Sequence, residues 1–597
     1  MTKLAILTTA FFSVVGLHAA DDPAVELYFK HCAQCHEQGL EARVPTREAL
    51  GKLSARTVLT ALETGVMREM GTKLTPPERR AVAGYLGKTE ASIADNPDNR
   101  CPAANGQSRA LPANAGSSGW TGWGGGLNNW RFQNAASAGL GAADIPKLKL
   151  KWAFGIPDTV TMRSQPAVYA DRVFVAGPAS VYSLNAMTGC MYWSANAAGI
   201  RSGLAIAPLG SRTLLVFANA RKVTALDAAT GQAVWDLLPE EHPAGMVTDT
   251  PIFHAGKLYI GVSSGEEVAA TNPKYVCCTF RGSVVAIDAA TGKVIWKTYT
   301  IAETPIPGKP TPQGSASMGP SGAGIWSTPT IDTEKNALYV TTGDNYSQPA
   351  SNTSDAVLAL SLDSGKLLWS KQFTEGDAFN VACGRARGPN CPEGDGPDFD
   401  FGASPMLLRL DANRRVLVAG QKSGMVHGLD PDQEGKILWQ AQAGEGGKLG
   451  GIQWGMTTDG TVVYASRSGL AGDPKRAGGL YAFRADNGER MWMTPPVPCG
   501  DRKPCSMAQS QAVTAMTGVV FSGSNDGHFR AYSTSDGKVI FDYDTAHEYQ
   551  TVNGVPGKGG ALDVGGPVIA NGMIFVNSGY ASWGGMPGNV VLAFGKE

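Results

Sequence analysis

The chain has 597 residues, 75 of them glycine, with 8% aromatic and 17% charged residues and a formal net charge of -1. Such a length can bury one large core and a small second domain, and the turn-rich composition favours an all-β fold. Because the charges balance and no basic run occurs, nucleic acid is excluded as an expected partner.

Residues 1–20 are predicted to form a secretory signal peptide. Lys3 precedes an apolar run from Leu4 to Val15, and the small residues Ala19 and Ala20 follow. The run is short for a membrane span, and no other stretch is expected to cross a membrane. We therefore expect an exported, periplasmic protein in which disulfides can persist, with the exact cleavage site left open.

A small all-α cytochrome c domain is predicted for residues 21–90. The stretch Cys32-Ala-Gln-Cys35-His36 has the spacing for covalent haem c, with two thiols for the vinyl groups and one imidazole for iron. A thioether as the second iron ligand would suit electron transfer, and Met67 and Met70 are the candidates. Small class I cytochromes c resemble this segment in Gly65-Val-Met67, which favours Met67.

Residues 91–127 are rich in Asn, Ala, Gly and Ser and show little periodicity. This composition predicts an interdomain linker that becomes ordered on the following domain.

One motif recurs through residues 128–597: an apolar run, a turn that ends in Gly, and a second apolar run that closes on an aromatic residue. Such a pattern predicts a β-hairpin, since the glycine supplies the positive φ that the turn requires. The copies are spaced at or above the roughly 40–50 residues of a propeller blade. They are Val181–Trp193, Val223–Trp235, Val284–Trp296, Val357–Trp369, Val426–Trp439, Leu480–Trp492 and Phe529–Phe541.

An eighth copy, Gly566–Phe594, lacks its closing strand. The alternating segment Leu148–Trp152 can supply that strand and so remove the last exposed edges of the ring. The predicted fold is an all-β eight-bladed β-propeller, with a sandwich or a solenoid as the alternative.

The cysteines outside the haem motif can be considered in pairs: Cys101 and Cys190, Cys277 and Cys278, Cys383 and Cys391, Cys499 and Cys505. The last two pairs close short loops and are predicted disulfides. The adjacent pair forms either two buried thiols or a vicinal disulfide, which an exported chain favours. The first pair forms either a bridge from the linker to a blade or two free thiols.

The repeats resemble the tryptophan-docking motifs of eight-bladed dehydrogenases that hold pyrroloquinoline quinone (PQQ), and Asp288–Trp296 nearly matches their consensus. With the haem motif, the segments Ser263–Glu267, Cys277–Gly282 and Asn390–Asp400 most resemble the quinohaemoprotein alcohol dehydrogenases, closest to those that oxidise polyvinyl alcohol. The resemblance covers nearly the whole mature chain. It implies PQQ, Ca²⁺ and haem c as cofactors, an alcohol polymer or small alcohol as substrate, and an external cytochrome c as electron acceptor.

The resemblance also implies two Ca²⁺ ligands. The Ser-Ser-Gly-Glu-Glu stretch is similar to the family's Ser-Ser-Gly-x-Glu, which gives Glu267 as a ligand and Ser264 as a cofactor contact. A residue 18 positions after Trp326 supplies the second ligand, and this position holds Asp344 where the family usually has Asn. Asn345 is the alternative, and both side chains offer oxygen, which Ca²⁺ prefers.

Phe399-Asp-Phe-Gly402 is similar to the family's Trp-Asp-Tyr/Phe segment, which implies Asp400 as the catalytic base, with Asp398 as the alternative. A base is needed because hydride leaves an alcohol carbon easily only as the hydroxyl proton departs. Lys422 falls where the family places Arg or Lys against the PQQ carbonyl.

Further cofactor contacts follow from the same resemblance. Arg201 and Thr248 would clamp the PQQ carboxylates, although a surface or turn role is the alternative for each. Trp326 would stack on one face of PQQ and the Cys277-Cys278 disulfide on the other, with Trp454 as a further wall. In small-alcohol relatives the adjacent cysteines precede an earlier blade, so this chain departs from the family there. A non-catalytic scaffold is the rival class of function, and the haem motif and the carboxylate set argue against it.

Overall fold

The computed structural model describes residues 23–37, 44–63, 67–87, 100–102, 111–112, 119–197, 199–384, 386–469 and 477–596. The predicted signal peptide lies outside these residues. No helix in these ranges combines the length and apolar character needed to cross a membrane.

The N-terminal part is helical, as predicted. Tyr28, Leu53 and Val82 form its core, into which Val160 and Ala581 of the following domain also pack. The helical part therefore lies directly against the rest of the protein. Its helices are α1 (Pro23–His31), α2 (Ala33–His36), α3 (Arg47–Leu50), α4 (Ala55–Glu63), α5 (Arg68–Gly71) and α6 (Pro76–Leu86).

Eight sheets follow, each built on four antiparallel strands, and a short fifth strand joins the sheets of blades 3 and 7. This arrangement confirms the eight-bladed β-propeller. The first strands of neighbouring blades lie side by side around the centre. Blade 1 comprises Ala167–Tyr169, Arg172–Ala176, Ser180–Asn185 and Met191–Asn196, and blade 2 comprises Ala205–Leu209, Arg212–Ala218, Val223–Asp227 and Ala233–Leu237. Blade 3 comprises Ile252–His254, Lys257–Ser264, Ser283–Asp288 and Val294–Tyr299, and blade 4 comprises Thr330–Asp332, Ala337–Thr341, Ala356–Ser361 and Leu367–Gln372. Blade 5 comprises Met406–Arg409, Arg415–Gly420, Met425–Asp430 and Lys436–Gln442, and blade 6 comprises Thr457–Thr458, Val462–Ser466, Leu480–Arg484 and Arg490–Thr494. Blade 7 comprises Thr514–Met516, Val519–Gly523, His528–Ser533 and Val539–Asp544, and blade 8 comprises Val568–Ala570, Met573–Ser578, Val590–Gly595 and Lys149–Gly155.

The repeat motif is explained by how one blade contacts the next. The indole nitrogen of Trp193 donates to the carbonyl of Ala228 in the following blade at 3.1 Å. A Cβ on Gly231 would stand only 2.7 Å from that indole, and the residue has φ of +77°. Only glycine meets both conditions, so the same residue makes the turn and accommodates the tryptophan.

The early strand Lys149–Gly155 pairs with Val590–Gly595 and completes blade 8 as predicted. Trp152 on this strand donates to the carbonyl of Ala186 in blade 1 at 3.1 Å. This strand therefore joins the two ends of the propeller, and blade 8 contacts blade 1 through Trp152.

Residues 119–133 cross the centre of the ring and form what we term the central segment. Backbone hydrogen bonds join it to the first strands of blades 1, 2, 4, 5, 6 and 7, at Val168, Ile206, Ile331, Leu407, Thr458 and Ala515. Phe132–Gln133 also pairs in parallel with the first strand of blade 7. The central segment spans the predicted boundary between linker and propeller at residue 127, since its contacts begin before that point.

Shorter elements lie between and beside the blades. Four cysteine pairs form disulfides: Cys101–Cys190, Cys277–Cys278, Cys383–Cys391 and Cys499–Cys505. Both short-loop disulfides and the vicinal disulfide are therefore confirmed, and Cys101 ties the linker to blade 1. The minor elements are Ala135–Ala138, Glu266–Ala269, Ala142–Lys147, Val381–Cys383, Ser582–Gly584, Gly245–Met246, Ile306–Pro307, Met318–Gly319, Ser321–Gly322, Asn345–Ser347, Glu548–Tyr549 and Gly557–Lys558.

Candidate active site

Three aspartates and one lysine meet where the insertion between blades 4 and 5 folds over blade 4. The carboxylate oxygens of Asp344, Asp398 and Asp400 lie within 4.8 Å of one another. Nζ of Lys422 donates to Asp398 Oδ1 at 2.6 Å and to Asp400 Oδ2 at 2.8 Å. Asp400 Oδ1 accepts from the backbone N–H of Asp344 at 2.8 Å, so Asp400 links the lysine to Asp344.

Close backbone approach and a further carboxylate hold this cluster in place. A Cβ at position 343 would stand 2.7 Å from Asp400 Oδ1, so Gly343 leaves the space that Asp400 occupies. The carboxylate of Asp377 accepts from the backbone N–H groups of Asp398, at 3.2 Å, and Phe399, at 2.9 Å. Asp377 thus fixes the segment that carries both candidate bases.

The cluster holds more carboxyl groups than its one lysine can neutralise. Burial, with added repulsion from Asp400, Asp398 and Glu267, raises the pKa of Asp344 well above its usual value. Asp344 Oδ2 is buried and has no hydrogen-bond partner among the described residues. Burial alone would lower the pKa of Lys422, but Asp398 and Asp400 raise it, so the lysine is charged. Such an arrangement favours a bound cation, because a buried carboxylate without a partner is costly.

A cavity with aromatic walls adjoins this cluster. The rings of Trp326 and Trp454 meet edge to face, with centroids 5.2 Å apart. Nζ of Lys422 lies 5.5 Å from the centre of the Trp326 ring. Gly402 approaches the same indole so closely that a Cβ at this position would stand 1.9 Å from it. The segment that carries Asp400 therefore lies against the cavity. Aromatic faces beside a polar cluster are suited to a flat, polar ligand.

Loops that lead into several blades line this cavity. Its polar side includes Arg163, Arg201, Thr248 and Asp249, while the central segment contributes Trp123. Trp454 is held from behind, where its indole N–H donates to Asp563 Oδ1 at 2.8 Å.

The haem motif lies at the junction of α1 and α2. His36 is buried, and its Nδ1 is 2.7 Å from the carbonyl oxygen of Pro45. A carbonyl can only accept, so Nδ1 carries the proton and Nε2 keeps a lone pair for a metal. Cys32 and Cys35 are not paired in a disulfide. Met67 packs against the helical core, whereas Met70 accepts from Lys73 Nζ at 3.3 Å.

Comparison with known proteins identifies the family. A family model described as glucose/ethanol/alcohol dehydrogenase, beta-propeller domain, matches residues 120–386, and one described as outer membrane protein assembly factor BamB matches residues 279–495, 422–558 and 476–594. The chain is 39% identical to a polyvinylalcohol dehydrogenase from a Pseudomonas species, over 100% of this chain and 96% of that protein. It is also 39% identical to a polyvinylalcohol dehydrogenase from Sphingopyxis sp. strain 113P3, over 96% and 92%. The chain belongs to the PQQ-dependent alcohol dehydrogenase family.

Among solved structures, this dehydrogenase resembles quinohemoprotein alcohol dehydrogenase ADHIIG from Pseudomonas putida HK5, with a TM-score of 0.61 and 18% identity. The match covers 81% of this chain and 82% of that chain. At this identity the likeness bears on the fold alone.

Two adjacent glutamates of the dehydrogenase have different surroundings. Glu266 accepts from the backbone N–H groups of Thr279 and Phe280, both at 2.8 Å, and so anchors a loop. Glu267 instead lies near Asp344. Burial is the largest cause of the raised pKa of Asp344, followed by repulsion from Asp400 and Asp398, and repulsion from Glu267 adds to them. The predicted ligand is therefore the glutamate that the structure brings to the cluster.

The structure brings most of the predicted site residues of the dehydrogenase to two adjoining places. Arg201, Thr248, Trp326 and Trp454 line the cavity, while Asp344, Asp398, Asp400 and Lys422 form the cluster. Asn345 is engaged elsewhere, because its Oδ1 accepts from the backbone N–H of Ser351 at 2.7 Å.

The vicinal disulfide is placed differently from the predicted stacking partner. Cys277 and Cys278 pack with Tyr346 and Phe379 in an apolar cluster and are not among the residues that line the Trp326 cavity. Ser264 lies in the same region, where its Oγ accepts from the backbone N–H of Glu266 at 3.0 Å. Contacts of the disulfide and Ser264 with PQQ stay predictions.

Several residues of the site were not predicted from the sequence. Asp377 supports the segment of the candidate bases, and Trp123, Arg163 and Asp249 line the cavity. None belongs to a repeated motif, and each comes from a different loop. For Asp249 alone the sequence offered a hint, because the predicted cofactor contact Thr248 lies next to it.

Proposed function

We propose that this protein is an exported quinohaemoprotein dehydrogenase that oxidises secondary alcohol groups of polyvinyl alcohol to ketones. Electrons would pass from PQQ to haem c in the N-terminal domain and then to an external cytochrome c. The polymer is proposed as substrate because two relatives that match almost the whole chain are named polyvinylalcohol dehydrogenases. Small or other alcohols are the alternative substrates.

The observation that carries the proposal is the under-neutralised carboxylate cluster beside the aromatic cavity. Asp344 has a buried carboxylate oxygen without a hydrogen-bond partner in the described ranges, and Glu267 lies nearby. These groups supply the oxygen ligands that Ca²⁺ prefers. Glu267 and Asp344 would hold the ion, with Asn345 as the less favoured alternative.

The lining of the cavity suits a flat anionic cofactor. Trp326 and Trp454 offer aromatic faces, and Arg163 and Arg201 bring positive charge for carboxylates. When bound, PQQ supplies a quinone carbonyl that accepts hydride from the alcohol carbon, while Ca²⁺ polarises that carbonyl. Lys422 has three N–H donors, of which Asp398 and Asp400 take two, so one is left for a carbonyl oxygen of the cofactor.

Asp400 is proposed to accept the hydroxyl proton of the alcohol. It contacts both Lys422 and the backbone of Asp344, which places it between the lysine and the proposed metal ligand. Asp398 contacts Lys422 through Oδ1 but is held from its backbone side by Asp377. The carboxylate that contacts Lys422 and the backbone of the proposed metal ligand is better placed to accept the proton of an alcohol bound beside them.

The N-terminal domain is proposed to receive the electrons. Cys32, Cys35 and His36 would bind haem c, and Nδ1 of His36 is already fixed by Pro45. Helix α5, which follows Met67, lies near the propeller. Burial raises the pKa of Glu69 in this helix, Lys73 opposes the shift, and the charge of Glu266 adds to it.

Purified full-length protein loaded with PQQ and Ca²⁺ should reduce its own haem when polyvinyl alcohol is added. Initial rates with the polymer and with short secondary alcohols, followed by haem absorbance, would compare the substrates directly. A higher kcat/KM for a short alcohol than for the polymer would assign the enzyme to small alcohols. Absence of haem reduction with every alcohol would favour the scaffold alternative.

Substitution of Met67 by Ala should remove the methionine-to-iron charge-transfer band and lower the haem reduction potential, because thioether ligation raises that potential. Optical spectra and a redox titration of the oxidised protein would measure both. Met70→Ala is the matched control and should keep the band. If the band persisted in Met67→Ala and disappeared in Met70→Ala, the sixth ligand would be Met70.

A further inference from the structure

A buried carboxyl group on the cavity wall has no part in the proposed reaction. Asp249 lies between Thr248 and Thr250 in the loop that leads into blade 3, and all three residues line the cavity. Its side chain is almost wholly buried, with a relative exposure of 3%. Oδ2 accepts from the backbone N–H of Gly261 at 2.9 Å, which fixes the carboxyl group against the second strand of blade 3.

The second oxygen of this carboxyl group is unsatisfied. Asp249 Oδ1 is buried and has no hydrogen-bond partner within the described part of the chain. An ionised carboxylate in such a place would be costly, and burial raises the pKa of Asp249 to about 8. At neutral pH the group is therefore mostly a neutral acid, which has an O–H to donate.

The charges around Asp249 are cationic. Arg163 and Arg201 are the other ionisable residues that line the cavity, and Arg131 lies behind the lining residue Trp123, with its guanidinium 4.6 Å from the indole ring. Arg163 donates to the hydroxyl of Tyr580 at 3.3 Å. This wall thus presents two guanidinium groups and one neutral acid to the same space, a set that matches a ligand with several carboxylates.

We propose that Asp249 is a further PQQ-binding residue, which in its protonated form donates a hydrogen bond from Oδ1 to an oxygen of the cofactor while Oδ2 remains on Gly261. The inference rests on the proposed assignment of PQQ to this cavity. It goes beyond the clamp expected from Arg201 and Thr248, because it makes cofactor binding depend on a proton held by the protein. No bond is broken, and the proton stays on Asp249.

The pH dependence of binding follows from this arrangement. PQQ carries several carboxylates, so it binds the neutral acid and is repelled by the ionised form of Asp249. Binding then raises the pKa of Asp249 further, and the apparent affinity is constant below the pKa of the PQQ-free protein. Above about pH 8 the affinity falls by up to about tenfold for each pH unit, because a proton must be taken up on binding.

The test is PQQ binding to full-length, PQQ-free protein at saturating Ca²⁺, measured between about pH 6 and pH 9.5 by quenching of tryptophan fluorescence. The dissociation constant of the wild type should rise above pH 8. Asp249→Asn should show a flat profile over the same range, because its amide donates a hydrogen bond at every pH. Asp249→Ala should bind roughly tenfold more weakly at pH 7 through loss of the donor.

Asp249→Asn is the decisive comparison, since it keeps an acceptor for Gly261 and leaves Arg131, Arg163 and Arg201 unchanged. The difference between its profile and that of the wild type therefore reports Asp249 alone. Thermal unfolding of the PQQ-free variants would show separately whether Asp249→Ala disturbs the fold. Identical pH profiles for wild type and Asp249→Asn would overturn the inference.

Arg201→Ala separates the inference from the assignment of the cavity. If Arg201→Ala weakened PQQ binding and neither Asp249 variant changed it, the role of Asp249 alone would be wrong. If none of the three variants changed PQQ binding, the cofactor would not occupy this cavity, and both proposals would fail. Weaker binding in Arg201→Ala together with a flat profile in Asp249→Asn would support both.

Discussion

Asp400→Asn should lower alcohol-driven turnover by roughly 10²–10⁴-fold, because an amide cannot accept the hydroxyl proton. PQQ content and haem spectra should not change. The amide oxygen can still accept from the backbone N–H of Asp344, now at 2.8 Å from Asp400 Oδ1. Asp398 Oδ1 still accepts from Lys422 Nζ at 2.6 Å, so the cluster should hold its geometry. Single-turnover haem reduction after addition of alcohol would measure the loss.

The matched control is Asp398→Asn. The carboxyl groups of both aspartates accept from Lys422 Nζ, so both substitutions replace a carboxyl group beside the same ammonium. If the effect were only electrostatic, the two variants would lose activity to a similar extent. A proton-transfer role for Asp400 requires a far larger loss in Asp400→Asn, and the reverse order would assign the base to Asp398.

The propeller could be predicted from the sequence because its determinants repeat locally. Each turn glycine faces the tryptophan of the preceding blade, as Gly292 faces Trp235, where a Cβ would stand 2.6 Å from the indole. That contact uses the same two residue types at seven of the eight steps around the ring, so it leaves a visible motif. The closing strand was also predictable, since Trp152 repeats the docking contact at Gly189.

The central segment could not be placed from the sequence. Asn129, for example, donates to Thr330 Oγ1 at 2.8 Å across 201 positions of the chain. Arg131 donates to the carbonyl of Val513 at 2.7 Å across 382 positions. Such contacts have no periodicity and use residue types that are common in linkers, so composition alone indicates a linker.

The active site could also be predicted only in part from the sequence. Family resemblance led to Asp344, Asp400 and Lys422 because each lies in a recognisable stretch of sequence. It could not show that Lys422 contacts both Asp398 and Asp400, since that geometry depends on how the insertion folds. Asp249 was missed because its chemistry arises from burial and from an unsatisfied oxygen, which no sequence spacing encodes.

Removal of the metal should abolish turnover. The cluster contains the carboxyl groups of Asp344, Asp398 and Asp400 with Glu267 nearby, and Lys422 is the ammonium that contacts it. Without a cation, these groups face an anionic cofactor as well as each other. Chelation should therefore release PQQ together with Ca²⁺, and adding both back should restore activity. Metal analysis and PQQ absorbance of the dialysed protein would follow the two losses.

Asp344→Ala should have the same effect as chelation, because it removes the carboxylate whose Oδ2 has no other hydrogen-bond partner among the described residues. Asp344→Asn should keep a substantial part of the bound Ca²⁺, since the amide still offers an oxygen ligand and reduces repulsion within the cluster. Asn345→Ala is the second control. Its side chain holds Ser351 and the carbonyl of Ser321, so its loss should lower the unfolding temperature and leave metal content near that of the wild type. If Asn345→Ala lost the metal and Asp344→Ala retained it, the second ligand would be Asn345. The unsatisfied oxygen of Asp344 would then belong to a neutral carboxyl group, because burial raises the pKa of Asp344 well above its usual value.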